Sequence, residues 1–303
     1  ELSRAYYEAH GRELLEQRFP QLFGRMTIGL VGEGSECFGF DDLYSEDHDF
    51  GPSFCIWLES ADYLKYGQEV QKAYDCLPGT FMGYPARKVT SHGQGRVGVL
   101  CTQTWYSKYT GCSRGPETLE EWLRVPESSL ATAVNGAVFK DPGESFTKIR
   151  NRLLYECPED IRIRRITVRA AAMAQAGQYN YMRCWKRDDG IAVLLALSEF
   201  VRAGLSMVYL LNRTYAPYYK WMYRGIKDLP VLSRAYDLFG RLARAQGGEE
   251  TEGIIERICL IVAAELRRQG LTEEKDSFLD THCEPMLERI KEQRIRNMPV
   301  AVW

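Results

Sequence analysis

The chain has 303 residues, with 39 Lys and Arg against 41 Asp and Glu, a formal net charge of -2 at pH 7. Hydrophobic residues make up 45% and charged residues 26%, which is ordinary for a soluble globular protein and excludes a disordered, collagen-like or coiled-coil chain. The balanced charge gives no support for a nucleic-acid coat protein or a polybasic membrane binder, and leaves open only a local basic groove.

The cysteine pattern and the apolar segments predict the compartment. The nine cysteines are scattered and include no C-x-x-C pair, which argues against a zinc ribbon or a disulfide framework. Free thiols in a reducing cytoplasm are the simpler interpretation. Residues 1–4 begin an amphipathic segment, so we expect no signal peptide. The most apolar stretch, 191–211, contains Glu199 and Arg202, so we expect no membrane span.

The first half of the chain is rich in glycine and predicts a small domain of short strands and helices. Its predicted elements are a helix over 6–19, a strand over 26–31, a strand over 50–58, a helix over 63–77, a strand over 97–104 and a short helix opening at Thr118. Thr118, with Glu121 three residues later, fits a capping box. Residues 133–139 fit either a helix end or a strand.

The second half predicts almost continuous helix. The expected helices cover 144–155, 160–181, 188–211, 217–226, 229–245, 250–269 and 272–297. Short loops between successive helices indicate a bundle packed on itself. The predicted fold class is therefore α+β, with a small mixed sheet and flanking helices over residues 1–150 and an α-helical bundle over residues 151–303.

One segment concentrates groups that bind metal ions and phosphate. Gly34 and Ser35 follow the first predicted strand, and Asp47 and Asp49 lead into the second. Side chains two residues apart in a strand share a face, so the two carboxylates would lie together, and a divalent cation would relieve their repulsion. Glycine lets the backbone approach a phosphate, and the serine hydroxyl with nearby N–H groups can bind its oxygens. The segment predicts a Mg²⁺ and polyphosphate site.

These motifs resemble the signature of a known superfamily. Gly34-Ser35 followed by Asp47-x-Asp49 is similar to the pattern of the nucleotidyltransferases that include DNA polymerase beta and the antibiotic nucleotidyltransferases. More closely, GEGSECFGFDD and DHDFGP resemble a bacterial family within that superfamily that carries a long helical C-terminal region. Further similarity lies in GAVFKDPGESFTKIR, AQAGQYNYMRCWKRDD and LLNRTYAPYYKWMYRG, so the resemblance covers about residues 20–240.

The resemblance implies a nucleotidyltransferase-type sheet and a Mg²⁺-dependent transfer of AMP from ATP to a hydroxyl group of a small molecule, with release of pyrophosphate. It implies that Asp47 and Asp49 hold Mg²⁺ and that Gly34 and Ser35 hold the β- and γ-phosphates. In chemistry of this type the protein contributes mainly positioning and charge neutralisation.

A third carboxylate is expected from the resemblance, because catalytic members of the superfamily usually carry one on a later strand. The third predicted strand contains no acid. Asp141 is our candidate for this role, and Glu117, Glu120 and Glu199 are unranked alternatives. Without a third acid, three alternatives stay open: the site uses one metal ion, it takes a base from the helical half, or it is inactive and the chain is a nucleotide-binding module that does not turn over. A modifier of protein or tRNA, as in toxin-type nucleotidyltransferases, is a further alternative.

Two segments of the helical half, 179–187 and 215–224, interleave aromatic and basic side chains. Aromatic faces stack on bases, and cations neutralise phosphates. In antibiotic nucleotidyltransferases a helical domain supplies such cations. We therefore expect Lys220 and either Arg183 or Arg187 to reach the triphosphate.

Two other charge patterns favour a structural interpretation. The basic run over 162–169 predicts a solvated helix face. A calcium-binding loop starting at Asp47 is excluded, because its sixth position is Pro52, where an EF-hand requires glycine.

Overall fold

The computed structural model describes residues 1–42, 44–45, 50–91 and 93–300. The chain divides into two compact units, Glu1–Glu156 and Cys157–Trp303. The first unit combines helices with a four-stranded sheet, and the described part of the second contains helices without strands. The α+β class is thereby confirmed. The boundary expected after residue 150 falls within a helix, Ser145–Tyr155.

The sheet is small and mixed. Its strands are Thr27–Leu30 (β1), Cys55–Leu58 (β2), Gly98–Cys101 (β3) and Ala137–Lys140 (β4). Their spatial order is β3-β2-β1-β4. Strand β1 pairs antiparallel with both β2 and β4, whereas β2 and β3 run parallel.

Helices surround this sheet in the first unit. They are Leu2–Tyr6 (α1), Arg12–Arg18 (α2), Pro20–Phe23 (α3), Ser35–Phe38 (α4), Ser60–Asp75 (α5), Thr102–Thr110 (α6), Leu119–Arg124 (α7), Glu127–Val134 (α8) and Ser145–Tyr155 (α9). A π-helical turn, Tyr7–Gly11, joins α1 to α2, so the helix predicted over 6–19 is part of a longer helical segment.

The structure corrects two sequence predictions in this unit and decides a third that was left open. The strand expected over 50–58 begins only at Cys55, because Gly51 has a φ of 135° and Pro52 has no N–H to pair. The strand expected to continue to residue 104 ends at Cys101, and helix α6 begins immediately afterwards. Residues 137–140 form a strand, which settles the ambiguity over 133–139.

The core of the first unit forms where α1, α2 and α5 pack on the sheet. As the three- and four-residue spacing predicts, Val70 and Ala73 of α5 are fully buried. Phe54, just before β2, contacts the ring of Tyr7 with centroids 5.3 Å apart. Burial of each large apolar side chain contributes about 1.5–3 kcal/mol to the stability of the folded state. This packing therefore stabilises the end of the sheet at which β2 starts.

The second unit consists of helices in the part that the structure describes. They are Glu159–Met173 (α10), Met182–Lys186 (α11), Gly190–Leu211 (α12), Tyr219–Gly225 (α13), Ala235–Leu242 (α14), Gly248–Arg268 (α15), Cys283–Glu288 (α16) and Gln293–Arg296 (α17). A π-helical segment, Ala174–Tyr181, extends α10. The single helix predicted over 272–297 is wrong, because the side chains of Thr272 and Asp276 accept local backbone hydrogen bonds that compete with a helix.

The solvated face predicted for the basic run of α10 is also wrong. Arg162 and Arg164 are 5% and 7% exposed. Arg162 donates hydrogen bonds to Glu159 and Gln269 at 2.6 and 3.1 Å. Helix α10 packs against both α12 and α16, so Arg162 and Arg164 lie in the interior. Polar partners hold the Arg162 guanidinium, as a buried charge requires.

Helix α12 is the one helix, among the described residues, that is long and apolar enough to cross a membrane. Half of its most apolar window is buried within the protein. Leu210 near its end is 3% exposed, whereas Ile191 and Leu194 near its start are 71% and 63% exposed. A core helix of a soluble protein shows the same length and composition, and the structure is compatible with a soluble protein.

Candidate functional site

One end of the sheet collects the segments that the sequence singled out. Gly29 lies opposite Cys55 and Leu30 opposite Ala137, and β2 and β3 start side by side. The C-terminal end of β1 therefore lies beside the N-terminal ends of β2, β3 and β4. We call this the Gly34 end of the sheet, because Gly34 follows β1 there. The chain segment that enters β2 reaches the same end.

The predicted phosphate-binding residues lie in a tight turn at this end. Gly34 has φ 115° and ψ 151°, and Ser35 is the first residue of the single-turn helix α4. Few side chains tolerate such a φ value, so the position requires glycine. The turn is fastened by Asn135, whose Oδ1 accepts from the N–H of Gly32 at 2.8 Å and whose Nδ2 donates to the Gly32 carbonyl at 2.7 Å. Nothing in the sequence pointed to Asn135.

The predicted metal ligands, Asp47 and Asp49, lie outside the described residues. The description resumes at Phe50, and the chain enters β2 at Cys55, at the Gly34 end. Within the described ranges, no group of three or more His, Cys, Asp and Glu side chains could hold a metal ion. The two-carboxylate pair therefore remains a prediction from the sequence.

Asp141, the candidate third carboxylate, lies at the opposite end of β1. Its Oδ1 accepts from the hydroxyl of Thr27, the first residue of β1, at 2.8 Å. Its Oδ2 accepts from the N–H of Thr147 in the first turn of α9 at 2.7 Å. Both oxygens are thus engaged in joining β1 to α9, and β1 separates Asp141 from Gly34.

Glu33, within the Gly32–Ser35 turn, forms a cluster with two cations. Its carboxylate lies 2.7 Å from Lys108 Nζ and 3.0 Å from Arg96 Nε, and it accepts from the Tyr109 hydroxyl at 3.2 Å. Partial burial raises the pKa of the Glu33 carboxyl, but Lys108, Arg96 and Tyr109 outweigh that effect and hold the pKa below its ordinary value. Glu33 is therefore a charged carboxylate at neutral pH and is already paired with the two cations beside the turn, Lys108 and Arg96.

Glu36 and Arg87 form a buried ion pair at the Gly34 end. Nη1 of Arg87 lies 2.6 Å from Oε1 of Glu36 and donates to Oγ of Ser53 at 2.9 Å. The side chains of Arg87 and Glu36 are 6% and 9% exposed. Burial raises the pKa of the Glu36 carboxyl above its ordinary value, although Arg87 acts in the opposite direction. The other edge of the guanidinium, Nε and Nη2, is buried and has no hydrogen-bond partner in the described part of the chain.

The three cations predicted for the triphosphate lie at opposite ends of one helix. Arg183 is in α11, and Arg187 is in the turn that leads into α12. Lys220 is in α13, where the Met222 carbonyl accepts from the Tyr209 hydroxyl near the end of α12 at 2.9 Å. With a rise of about 1.5 Å per residue, the 22-residue helix α12 is about 33 Å long. The structure therefore does not bring Lys220 together with either arginine.

Two of these cations contact aromatic rings nearby in the sequence. Arg183 lies 3.7 Å from the ring centroid of Tyr179, and Nζ of Lys220 lies 4.6 Å from that of Trp221. Such contacts contribute about 0.5–1 kcal/mol at exposed sites. The interleaved aromatic and basic residues of the sequence thus form local pairs in the second unit.

The remaining acidic alternatives are engaged at other places. Glu117 pairs with Arg152 at 3.7 Å, and Glu199 pairs with Arg202 at 2.7 Å. Glu120 lies in the first turn of α7. Glu117 and Glu199 are thus each paired with an arginine of their own unit.

Comparison with known proteins provides one family match and no relative. Residues 122–222 match a domain of unknown function (DUF4037). The match runs from α7 to α13, so it contains Asp141 and the cations of the second unit but not the Gly34 turn. No curated protein and no solved structure matches the chain.

Proposed function

We propose that the chain is a nucleotidyltransferase that transfers AMP from ATP to a hydroxyl group of a small molecule and releases pyrophosphate. The observation that carries the proposal is the placement of the Gly32–Ser35 turn. It follows buried strand β1, and the segment that contains Asp47 and Asp49 returns to antiparallel strand β2 at the same end of the sheet.

The residue types fit a divalent cation and a polyphosphate. Asp47 and Asp49 supply the hard carboxylate oxygens that Mg²⁺ prefers, and bound Mg²⁺ would neutralise charge on the transferring phosphate. Gly34 and Ser35 offer a close-approach backbone and a hydroxyl donor for the β- and γ-phosphates. The oxygen of the acceptor hydroxyl forms a bond to the α-phosphorus and its proton passes to solvent, while the bond between that phosphorus and the bridging oxygen of the leaving pyrophosphate breaks.

The proposal also covers the compartment and the substrates. All nine cysteines are free thiols, which supports a reducing cytoplasm. The substrates are a nucleoside triphosphate and a small-molecule acceptor, and the balanced net charge of -2 favours neither nucleic acid nor an anionic membrane as partner.

The test is pyrophosphate release from ATP and Mg²⁺ in the presence of a metabolite extract. We expect Asp49→Ala to lower the rate at least about a hundredfold, equivalent to about 2.7 kcal/mol of transition-state stabilisation. Asp41→Ala is the matched control, because it removes an exposed carboxylate from the same connection that is not one of the two predicted metal ligands, and it should leave the rate unchanged. An Asp49→Ala variant that retains the wild-type rate would contradict the assignment.

A nucleotide-binding module without turnover is the second candidate. Two observations favour it. The carboxylates described near the Gly34 turn, Glu33 and Glu36, are both ion-paired with cations, and Asp141 lies at the other end of β1. This candidate predicts that ATP raises the melting temperature by binding to the folded state while no pyrophosphate appears. Sustained pyrophosphate release would exclude it.

A further inference from the structure

Arg87 places a buried guanidinium at the Gly34 end of the sheet. Its side chain is only 6% exposed, and its Nη1 is used by Glu36 and Ser53. Nε and Nη2 have no acceptor among the described residues. A buried charged donor without an acceptor costs free energy, so native proteins rarely leave such a group unpaired.

The geometry of the free edge defines what it binds. In a planar guanidinium, the Nε–H and Nη2–H groups form the side-on edge, which points directly away from Nη1. This edge matches two oxygens of one carboxylate or one phosphate group. The one carboxylate that Arg87 contacts in the described structure, that of Glu36, is bonded to Nη1 on the other side. Glu36 therefore does not occupy this edge, and no described residue supplies an acceptor for it.

The ion pair with Glu36 holds the Arg87 guanidinium in one orientation, which favours binding of an anion at its side-on edge. Glu36 belongs to α4, directly after the Gly34 turn, and Ser53 lies two residues before β2. Arg87 thus joins the turn to the segment that enters β2, and both partners restrain its rotamer. A restrained guanidinium loses little conformational freedom when it binds a ligand, and Glu36 offsets its charge while the site is empty.

We propose that the side-on edge of Arg87 is an anion site that binds a phosphate group of a polyphosphate. The inference rests on the proposed function, since it assigns phosphate binding to a residue of the first unit. It differs from the sequence prediction, in which Lys220 and Arg183 or Arg187 of the second unit supplied these cations.

The test measures binding of Mg²⁺-pyrophosphate and of a non-hydrolysable ATP analogue with Mg²⁺ to the full chain by calorimetry. Arg87→Lys keeps the charge and loses the side-on edge, so we expect both ligands to bind at least about tenfold more weakly, or about 1.4 kcal/mol. Lys88→Met, which removes the neighbouring exposed cation, should leave both affinities unchanged. Pyrophosphate tests the phosphate contact without a base or sugar.

Glu36→Gln separates ligand binding from a purely structural role of the pair. If Arg87 binds the anion, removing the Glu36 charge leaves the affinity equal or increases it. If Arg87 only holds Glu36 and Ser53 in place, Glu36→Gln and Arg87→Met weaken binding alike, and the proposal is overturned. The melting temperature of each variant shows whether it folds. If Arg87→Met does not fold, Arg87→Lys is compared with Glu36→Gln in its place.

The two proposals fail in different ways. Pyrophosphate binding that depends on Arg87, together with no pyrophosphate release from any nucleoside triphosphate, supports the anion site and contradicts the enzyme. Catalytic turnover with an unchanged KM for ATP in Arg87→Lys supports the enzyme and overturns the anion site. Absence of binding to either probe in the wild-type chain overturns the anion site as well.

Discussion

Asp141 joins two elements of the first unit through both of its carboxylate oxygens. One oxygen accepts from the Thr27 hydroxyl and the other from the Thr147 N–H. An Asp-Pro step in the sequence resembles any turn, so the sequence alone could not distinguish a helix cap from a catalytic acid. The difference depends on β4 pairing with β1, which places Asp141 beside the start of β1 rather than its end.

Asp141→Ala should therefore lower the free energy of unfolding rather than the catalytic rate. Loss of two partly buried acceptors leaves donors on Thr27 and Thr147 unpaired, which costs about 1–3 kcal/mol of unfolding free energy. Urea denaturation measures this cost, with exposed Asp228→Ala as the control. A fully stable Asp141→Ala variant that has lost activity would instead support a catalytic role.

Glu33 gives the turn a defined dependence on pH. Lys108 and Arg96 hold the pKa of its carboxyl below the ordinary value of 4.5, so the folded state binds this proton less tightly than the unfolded state does. The stabilisation is present above about pH 4.5 and is lost as the pH falls through the folded-state pKa. Because one third of the side chain is exposed, its size is about 1 kcal/mol or less.

The difference in unfolding free energy between wild type and Glu33→Gln should accordingly shrink from pH 7 to pH 3. Denaturation curves at both pH values measure it, and Glu69→Gln, an exposed acid of α5, should show a smaller change. A difference that grows on acidification would contradict the ion-paired state of Glu33.

Among the elements, α12 has two parts with different environments. Its second half packs in the interior of the second unit, and its first turns expose Ile191, Leu194 and Leu195. Periodicity predicted the helix within two residues of its start at Gly190 and correctly at its end, Leu211. Burial is decided by the packing partners of each half, which a single sequence does not specify.

Two leucine truncations in α12 test this division. Leu210→Ala removes a side chain that is 3% exposed and should cost about 2–5 kcal/mol. Leu194→Ala removes one that is 63% exposed and should change stability by about 0.5 kcal/mol or less. Equal losses of unfolding free energy in the two variants would contradict the structure. So would recovery of the wild-type chain in the membrane fraction together with absence of Leu194→Ala from that fraction.

For the whole molecule, the two-part organisation and the α+β class followed from local patterns. The capping box at Thr118 is confirmed, with the Thr118 hydroxyl accepting from the Glu121 N–H and the Glu121 carboxylate accepting from the Thr118 N–H. What local patterns could not predict are contacts between distant segments. Arg87 reaching Glu36 across 51 positions and Asn135 reaching Gly32 across 103 positions are of this kind.

The Asn135 contact has a consequence for protein synthesis. Gly32 emerges from the ribosome long before Asn135, which lies 103 residues further along the chain. Strand β4, which completes the sheet beside β1, starts still later, at Ala137. The Gly34 turn thus gains these two side-chain hydrogen bonds only after Asn135 has been translated, and a nascent chain stalled before that residue lacks them.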